Sequence, residues 1–246
     1  MRGKRLTGKF TESSEELIIN VKWYGHYPLD PFRKKLMQLK ISNIKNNKQK
    51  IFLSPKFRLF LESIGYVYTF IGFIIKRIAD EISNDMKEEF PSSIYQINID
   101  IYSFILFSHI LMDKIPHLIN YLVKGETKPK IKSFTSFKKE INKCKGEHID
   151  ELKEIINRTS WYKQLDSLRD KAIVHKGRET ASLGRTIDDI GIYFHWFGDK
   201  NNFNEHYFSY KHVEQLANNI LTFLKELNVF FIKYFHEFPI KIEKTS

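Results

Sequence analysis

Between residues 210 and 237, Val213, Leu216, Ile220, Phe223, Leu224, Leu227, Phe230, Phe231 and Tyr234 recur at intervals of three and four. Only an α-helix gathers such positions onto one side, so the spacing commits this stretch to a helix with an apolar stripe, destined for a core or a dimer interface. The same period appears upstream. From Ser54 to about Lys87, Leu59, Ile64, Val67, Phe70 or Ile71, Ile74 and Ile78 fall near helical spacing. Ser54 stands where a cap is needed, and Pro55 at the first helical position, where its missing N–H costs nothing. The run "FPSSIYQINIDIYSFILFSHILMDKIPHLINYLV" (90–123) predicts a second long helix, kinked or split after Lys114 by Pro116. A third is expected over about 150–176, with Leu152, Ile156, Leu165, Leu168 and Ala172 facing inward and Gly177 ending it. These segments predict an all-α chain, an antiparallel bundle of four to five long helices.

Residues 1–54 are expected to form an appendage packed on the helical domain 55–246. Within that appendage, "ELIINVKWYGHYPLDPF" has room for a short strand, while Pro28, Pro31 and "NIKNNKQK" break any long helix. Residues 124–148 read as a basic loop carrying a short helix near 134–143. In "IGIYFHWFGDKNNFNEHYFSY" (190–210), aromatic residues alternate around a Gly-Asp-Lys-Asn-Asn turn, the pattern of a short hairpin or extended loop inserted before the last helix. No internal repeat is visible.

A chain of 246 residues that is 42% apolar and 15% aromatic can bury a sizeable core. Its formal charge of +11 favours a polyanionic partner, either nucleic acid or a membrane surface. Most of the excess lies in 31–61, which holds nine Lys or Arg and no acid. Another basic stretch, 124–148, holds eight lysines against three glutamates. The most apolar run, "IGYVYTFIGFII" (64–75), is 12 residues long; a membrane span needs about 20, so a buried helix is expected there. The first twenty residues are basic without an apolar stretch behind them, unlike a secretory signal, and the expected location is the cytoplasm. The single cysteine, Cys144, excludes an intrachain disulfide and a Cys-based zinc site. Phosphate-binding glycine loops, His-Glu-x-x-His pairs, nucleophile elbows and zinc-spaced Cys/His clusters are missing, so neither metal nor cofactor is expected. Asp188-Asp189 suits a turn. His109 and His117 sit in an apolar helical run and read as core or boundary residues, and His195, His206 and His212 fall among aromatics.

One short stretch carries chemistry. "LRDKAIVHKG" (168–177) holds Arg169, Asp170 and His175 at the end of the expected third helix, after the aromatic pair Trp161-Tyr162. In a helix, six positions separate two side chains by about 120° in direction and about 9 Å along the axis. Arg169 and His175 therefore converge on one small group only if the helix unwinds near Gly177 or if a second copy brings its own pair across a two-fold axis. In its helical setting, Arg-Asp-x4-His resembles the signature of the HEPN superfamily, the higher eukaryote and prokaryote nucleotide-binding domains, and the likeness extends over about 55–178. It implies a homodimer whose motifs share a cleft, metal-independent endoribonuclease activity with Arg169, Asp170 and His175 as the catalytic set, and a toxin or anti-phage defence role under a restraining protein partner such as an antitoxin. RNA is then the polyanion, and the basic stretches, with Lys34, Lys35, Lys130, Lys132, Lys171 and Lys176, are expected to hold its phosphates. A non-catalytic helical module that binds nucleic acid or nucleotide, or scaffolds a complex, is the alternative.

Overall fold

The computed structural model describes residues 27–38, 52–85, 94–125, 133–170, 180–185, 190–197, 203–240 and 243–244. These are mostly helical, as the periodicity predicts. In chain order the helices are α1 (Asp30–Met37), α2 (Pro55–Asp85), α3 (Ile94–Ile119), α4 (Phe134–Ile141), α5 (Ile149–Asn157), α6 (Tyr162–Leu168) and α7 (Tyr210–Lys233). The described residues also hold five strands: β1 (Cys144–Lys145), β2 (Thr180–Arg185), β3 (Ile190–Phe197), β4 (Phe203–Ser209) and β5 (Glu243–Lys244). The chain divides into two compact units. One contains Thr69–Phe107 and Lys163–Asn218; the other contains Tyr27–Tyr68, Ser108–Tyr162 and Asn219–Ser246.

Local signals account for the helix ends. Ser54 Oγ accepts the Phe57 backbone N–H at 3.2 Å and opens α2, and Ser133 Oγ accepts that of Ser136 at 3.2 Å and opens α4. Pro116 lies inside α3 without splitting it, so of its two expected effects the split does not occur; the helix runs on to Ile119 and widens into a π-turn over Asn120–Lys124. Gly125, at φ 65°, closes that turn with its N–H on the Asn120 carbonyl, a left-handed conformation that favours glycine. The expected single helix over 150–176 is two helices, α5 and α6, broken at 158–161. Thr159 makes the break: its hydroxyl donates to the Ile156 carbonyl at 2.6 Å, local bonding that competes with helix continuation.

In the unit containing Thr69–Phe107 and Lys163–Asn218, Ile71, Ile75, Ile78, Ile101, Phe104 and Leu165 are buried. Arg77 forks onto the buried Asp100, with Nε to Oδ2 at 3.0 Å and Nη2 to Oδ1 at 2.5 Å. The insertion before α7 is larger than the expected hairpin. Strands β2, β3 and β4 form an antiparallel sheet in that order, with Ile192 opposite both Leu183 and Phe208.

In the other unit every apolar position predicted for 219–237 is buried, from Ile220 through Phe223, Leu227 and Phe231 to Tyr234. Residues 27–38 belong to this core. Phe32 meets Phe231 at 5.1 Å between ring centroids, and its backbone N–H reaches Asn228 Oδ1 at 3.2 Å. Pro31 therefore sits in the first turn of the short helix α1, where proline is tolerated.

Candidate functional site

Arg169 and Asp170 follow α6 directly, in a backbone that widens into a π-type turn. The buried Leu165 and Leu168 hold that end of α6, so the arginine leaves a packed element. Its Nε donates to Asp170 Oδ1 at 2.7 Å, and Nη2 reaches the same oxygen. Asp166 Oδ1, one helical turn earlier, lies 3.6 Å from Nη2. Only about a quarter of the Arg169 side chain is exposed, against 42% for Asp170. The guanidinium is thus fixed between two carboxylates, a position in which it meets anionic oxygens with its planar fork. Of the roles open to Asp170, orienting Arg169 is the one this geometry matches.

His175 lies outside the described residues, as do Lys130, Lys132, Lys171 and Lys176. Lys34 and Lys35 are on α1. Lys34 is exposed. Lys35 is partly engaged at home: its ammonium donates to the Ile232 carbonyl at 3.4 Å and sits 4.9 Å from the Phe235 ring centre.

The histidines read as structural are so placed. His109 is buried, with Nε2 at 2.8 Å from the Tyr162 hydroxyl and Nδ1 at 3.2 Å from Asp113 Oδ2. Asp113 also accepts the Phe134 N–H at 3.1 Å. A hydrogen-bonded chain thereby links Tyr162, α3 and the start of α4. Burial holds His117 below the ordinary imidazole pKa; nearby Asp113 opposes that effect and Lys114 reinforces it. His212 Nδ1 accepts the Ser209 N–H at 3.1 Å at the start of α7. Cys144 is a free, buried thiol, and its sulfur lies 3.4 Å from the Glu140 carbonyl.

Sequence reasoning missed one cluster. Glu147, His148 and Glu237 present ligand-type atoms within 4.8 Å of one another. His148 stacks on Tyr234, 3.9 Å between ring centroids, and its Nε2 is 2.6 Å from Glu237 Oε2. Such atoms suit a divalent cation in kind, but Glu147 is 78% exposed, and His148 Nε2 is already engaged by the Glu237 carboxylate. The 89 residues between His148 and Glu237 hide this pairing from sequence spacing. Among the described residues, then, only Arg169–Asp170 joins a fixed cation to the motif read from sequence. No family model, curated protein or solved structure matches this chain.

Proposed function

We propose that the chain is a metal-independent endoribonuclease of HEPN type, acting as a homodimer and serving as a toxin or anti-phage effector. The observation that carries the reading is the arginine of the motif, held by Asp166 and Asp170 at the end of a packed helix. RNA supplies its own nucleophile. The 2′-oxygen attacks phosphorus, its proton passes to a base, the bond to the 5′-oxygen breaks, and an acid protonates that leaving oxygen. The products are a 2′,3′-cyclic phosphate and a 5′-hydroxyl. His175, whose side chain trades protons near neutral pH, is the base or acid, in opposite roles in the two copies. Arg169 exchanges a carboxylate oxygen for a phosphoryl oxygen and stabilises the charge that builds there. Asp170 is a positioning residue that keeps the guanidinium aimed.

Incubation of purified protein with RNA, with and without EDTA, tests this reading. Expected are cleavage that survives chelation, cyclic phosphate ends, and no cutting where the scissile nucleotide lacks its 2′-hydroxyl. Intact RNA under both conditions overturns it.

One observation favours the alternative, a non-catalytic module that binds nucleic acid. Two carboxylates beside Arg169 pair with its guanidinium without any substrate. In that case RNA is retained and not cut, and Arg169→Ala weakens binding alone.

A further inference from the structure

Within the unit that contains Tyr27–Tyr68, α1, Phe52 and the first two turns of α2 enclose an apolar cleft. Its floor is Leu36, Phe52, Phe57 and Leu61, all buried, and its open space, mouth included, is about 280 Å³. Sites for small ligands begin at roughly 300 Å³, so the cleft has room for one planar ring system and little more. The rings of Phe52 and Phe57 lie 5.6 Å apart and give it an aromatic wall. Met37, 52% exposed, also lines it, and an unbranched thioether adapts readily to an incoming ring.

Two opposite charges stand beside this floor. Arg58 and Glu62, one turn apart on α2, both line the cleft. Helical neighbours at that spacing commonly pair, yet neither side chain has an ion-pair or hydrogen-bond partner among the described residues. Arg33, a third charge there, engages Asp30 Oδ1 through its Nε at 2.9 Å. The surroundings select the class of ligand. Residues 31–61 hold nine cations and no acid, and Lys34 and Lys56 are exposed, so the cleft favours a net anion. Glu62 is the first acid after that run. A carboxylate repels phosphate, so its place at the cleft suits a ligand that also donates hydrogen bonds. A planar ring with N–H donors, tied to a phosphate, meets all three demands. Among the bases of RNA, guanine sets N1–H and N2–H side by side on its Watson–Crick edge, matching the two oxygens of a carboxylate. Adenine, cytosine and uracil each place an acceptor beside their donor on that edge, where it would oppose a carboxylate oxygen.

We propose that this cleft binds one guanine nucleotide of single-stranded RNA. The base lies on the Phe52–Phe57 wall, Glu62 accepts its N1–H and N2–H, and Arg58 and Arg33 hold the adjoining phosphate. Base choice resides in Glu62 and affinity in the arginines. The inference rests on RNA being the ligand, as proposed above, and is independent of whether the chain cuts that RNA.

The test is fluorescence anisotropy of the full chain with labelled short oligouridine strands, unsubstituted or carrying a single G, A or C, with 2′-fluorine in place of the attacking hydroxyl. The guanine strand is expected to bind at least about tenfold more tightly than the others, the discrimination of one bidentate base contact. Glu62→Gln keeps the shape of the side chain but turns one acceptor into a donor. It should erase the guanine preference without weakening the other strands. Arg58→Ala should weaken every strand alike, flatten the salt slope by about 0.7, and keep the preference. Both side chains are partly exposed, and circular dichroism checks that both variants stay folded. Equal binding of all strands, or a guanine preference that survives Glu62→Gln, overturns this site while RNA binding stands. Failure of every strand overturns the RNA reading and this site with it. Binding of free GMP by a protein that ignores every strand overturns the commitment to RNA in favour of a free nucleotide.

Discussion

At the residue scale, Arg169 and His175 differ in what their loss should reveal. Removing an arginine that stabilises phosphoryl charge costs on the order of 100- to 1,000-fold in turnover, and removing a proton-transfer group costs a similar amount. Arg169→Ala and His175→Ala are therefore expected to lose at least about 100-fold in single-turnover cleavage while keeping most RNA binding. Asp170→Ala, which frees the guanidinium from the oxygen that holds it, is expected to lose about tenfold through misorientation. Its pH–rate profile should keep the wild-type shape, because that shape belongs to His175. Unchanged cleavage by His175→Ala refutes the mechanism. His117 supports a separate expectation about stability. Burial lowers its pKa, so the fold prefers the neutral ring. The unfolded chain binds the proton first as pH falls past about 6.5, and stability declines from there until the lower, folded pKa is passed. Urea midpoints measured from pH 7.5 to 5 should fall in the wild type and fall less in His117→Phe.

At the scale of elements, hydrogen bonds decide what apolar spacing leaves open. The stripe of α7 was legible because Val213 to Phe231 follow one period with no competing signal, and each of those positions is buried. The start of α2 was legible for a different reason, since Ser54-Pro55 states the cap chemistry outright. Leu59 was not: it belongs to the same apolar run as Ile64, yet five residues place the two about 140° apart around the helix, and Leu59 is exposed. Thr159 was also opaque, because a back-bonding hydroxyl and a tolerated helical threonine look alike in sequence. Of the candidate site, residue types and spacing were readable, but the carboxylates around Arg169 were not, since a short helix end leaves their direction open. The chain from Tyr162 through His109 to Asp113 was missed for lack of any local signature, being 53 residues apart at its first link. It yields a prediction. Tyr162→Phe deletes one buried hydrogen bond and is expected to cost about 1 kcal/mol. His109→Ala leaves a hole and removes the imidazole that both the tyrosine hydroxyl and Asp113 contact, at a cost of about 2–4 kcal/mol. Chemical denaturation followed by fluorescence measures both, and equal costs for the two variants contradict the linked arrangement.

For the whole molecule, the governing quantity is charge. The net +11 is concentrated rather than spread, with nine cations and no acid in 31–61. Neutralising a phosphate releases its condensed counterion, so each contact contributes to the salt dependence of binding, with a logarithmic slope of about −0.7 per phosphate for single strands. Lys34, exposed on α1, and Lys130 and Lys132 are candidates for such contacts, whereas Lys35 is partly held by the Ile232 carbonyl and the Phe235 ring. A protein that uses these lysines should lose RNA affinity steeply between low and physiological salt. Lys130→Ala with Lys132→Ala should flatten the slope by about 1.4 if both touch phosphate, and Lys34→Ala by about half as much. Lys35→Ala should leave the slope nearer its wild-type value and lower stability through the lost packing on Phe235. Fluorescence anisotropy with a labelled single strand, titrated at several salt concentrations, separates these outcomes. A slope that is flat in the wild type removes the phosphate argument altogether. A slope lost only in Lys35→Ala shows that α1 reaches RNA through the lysine that the fold already employs.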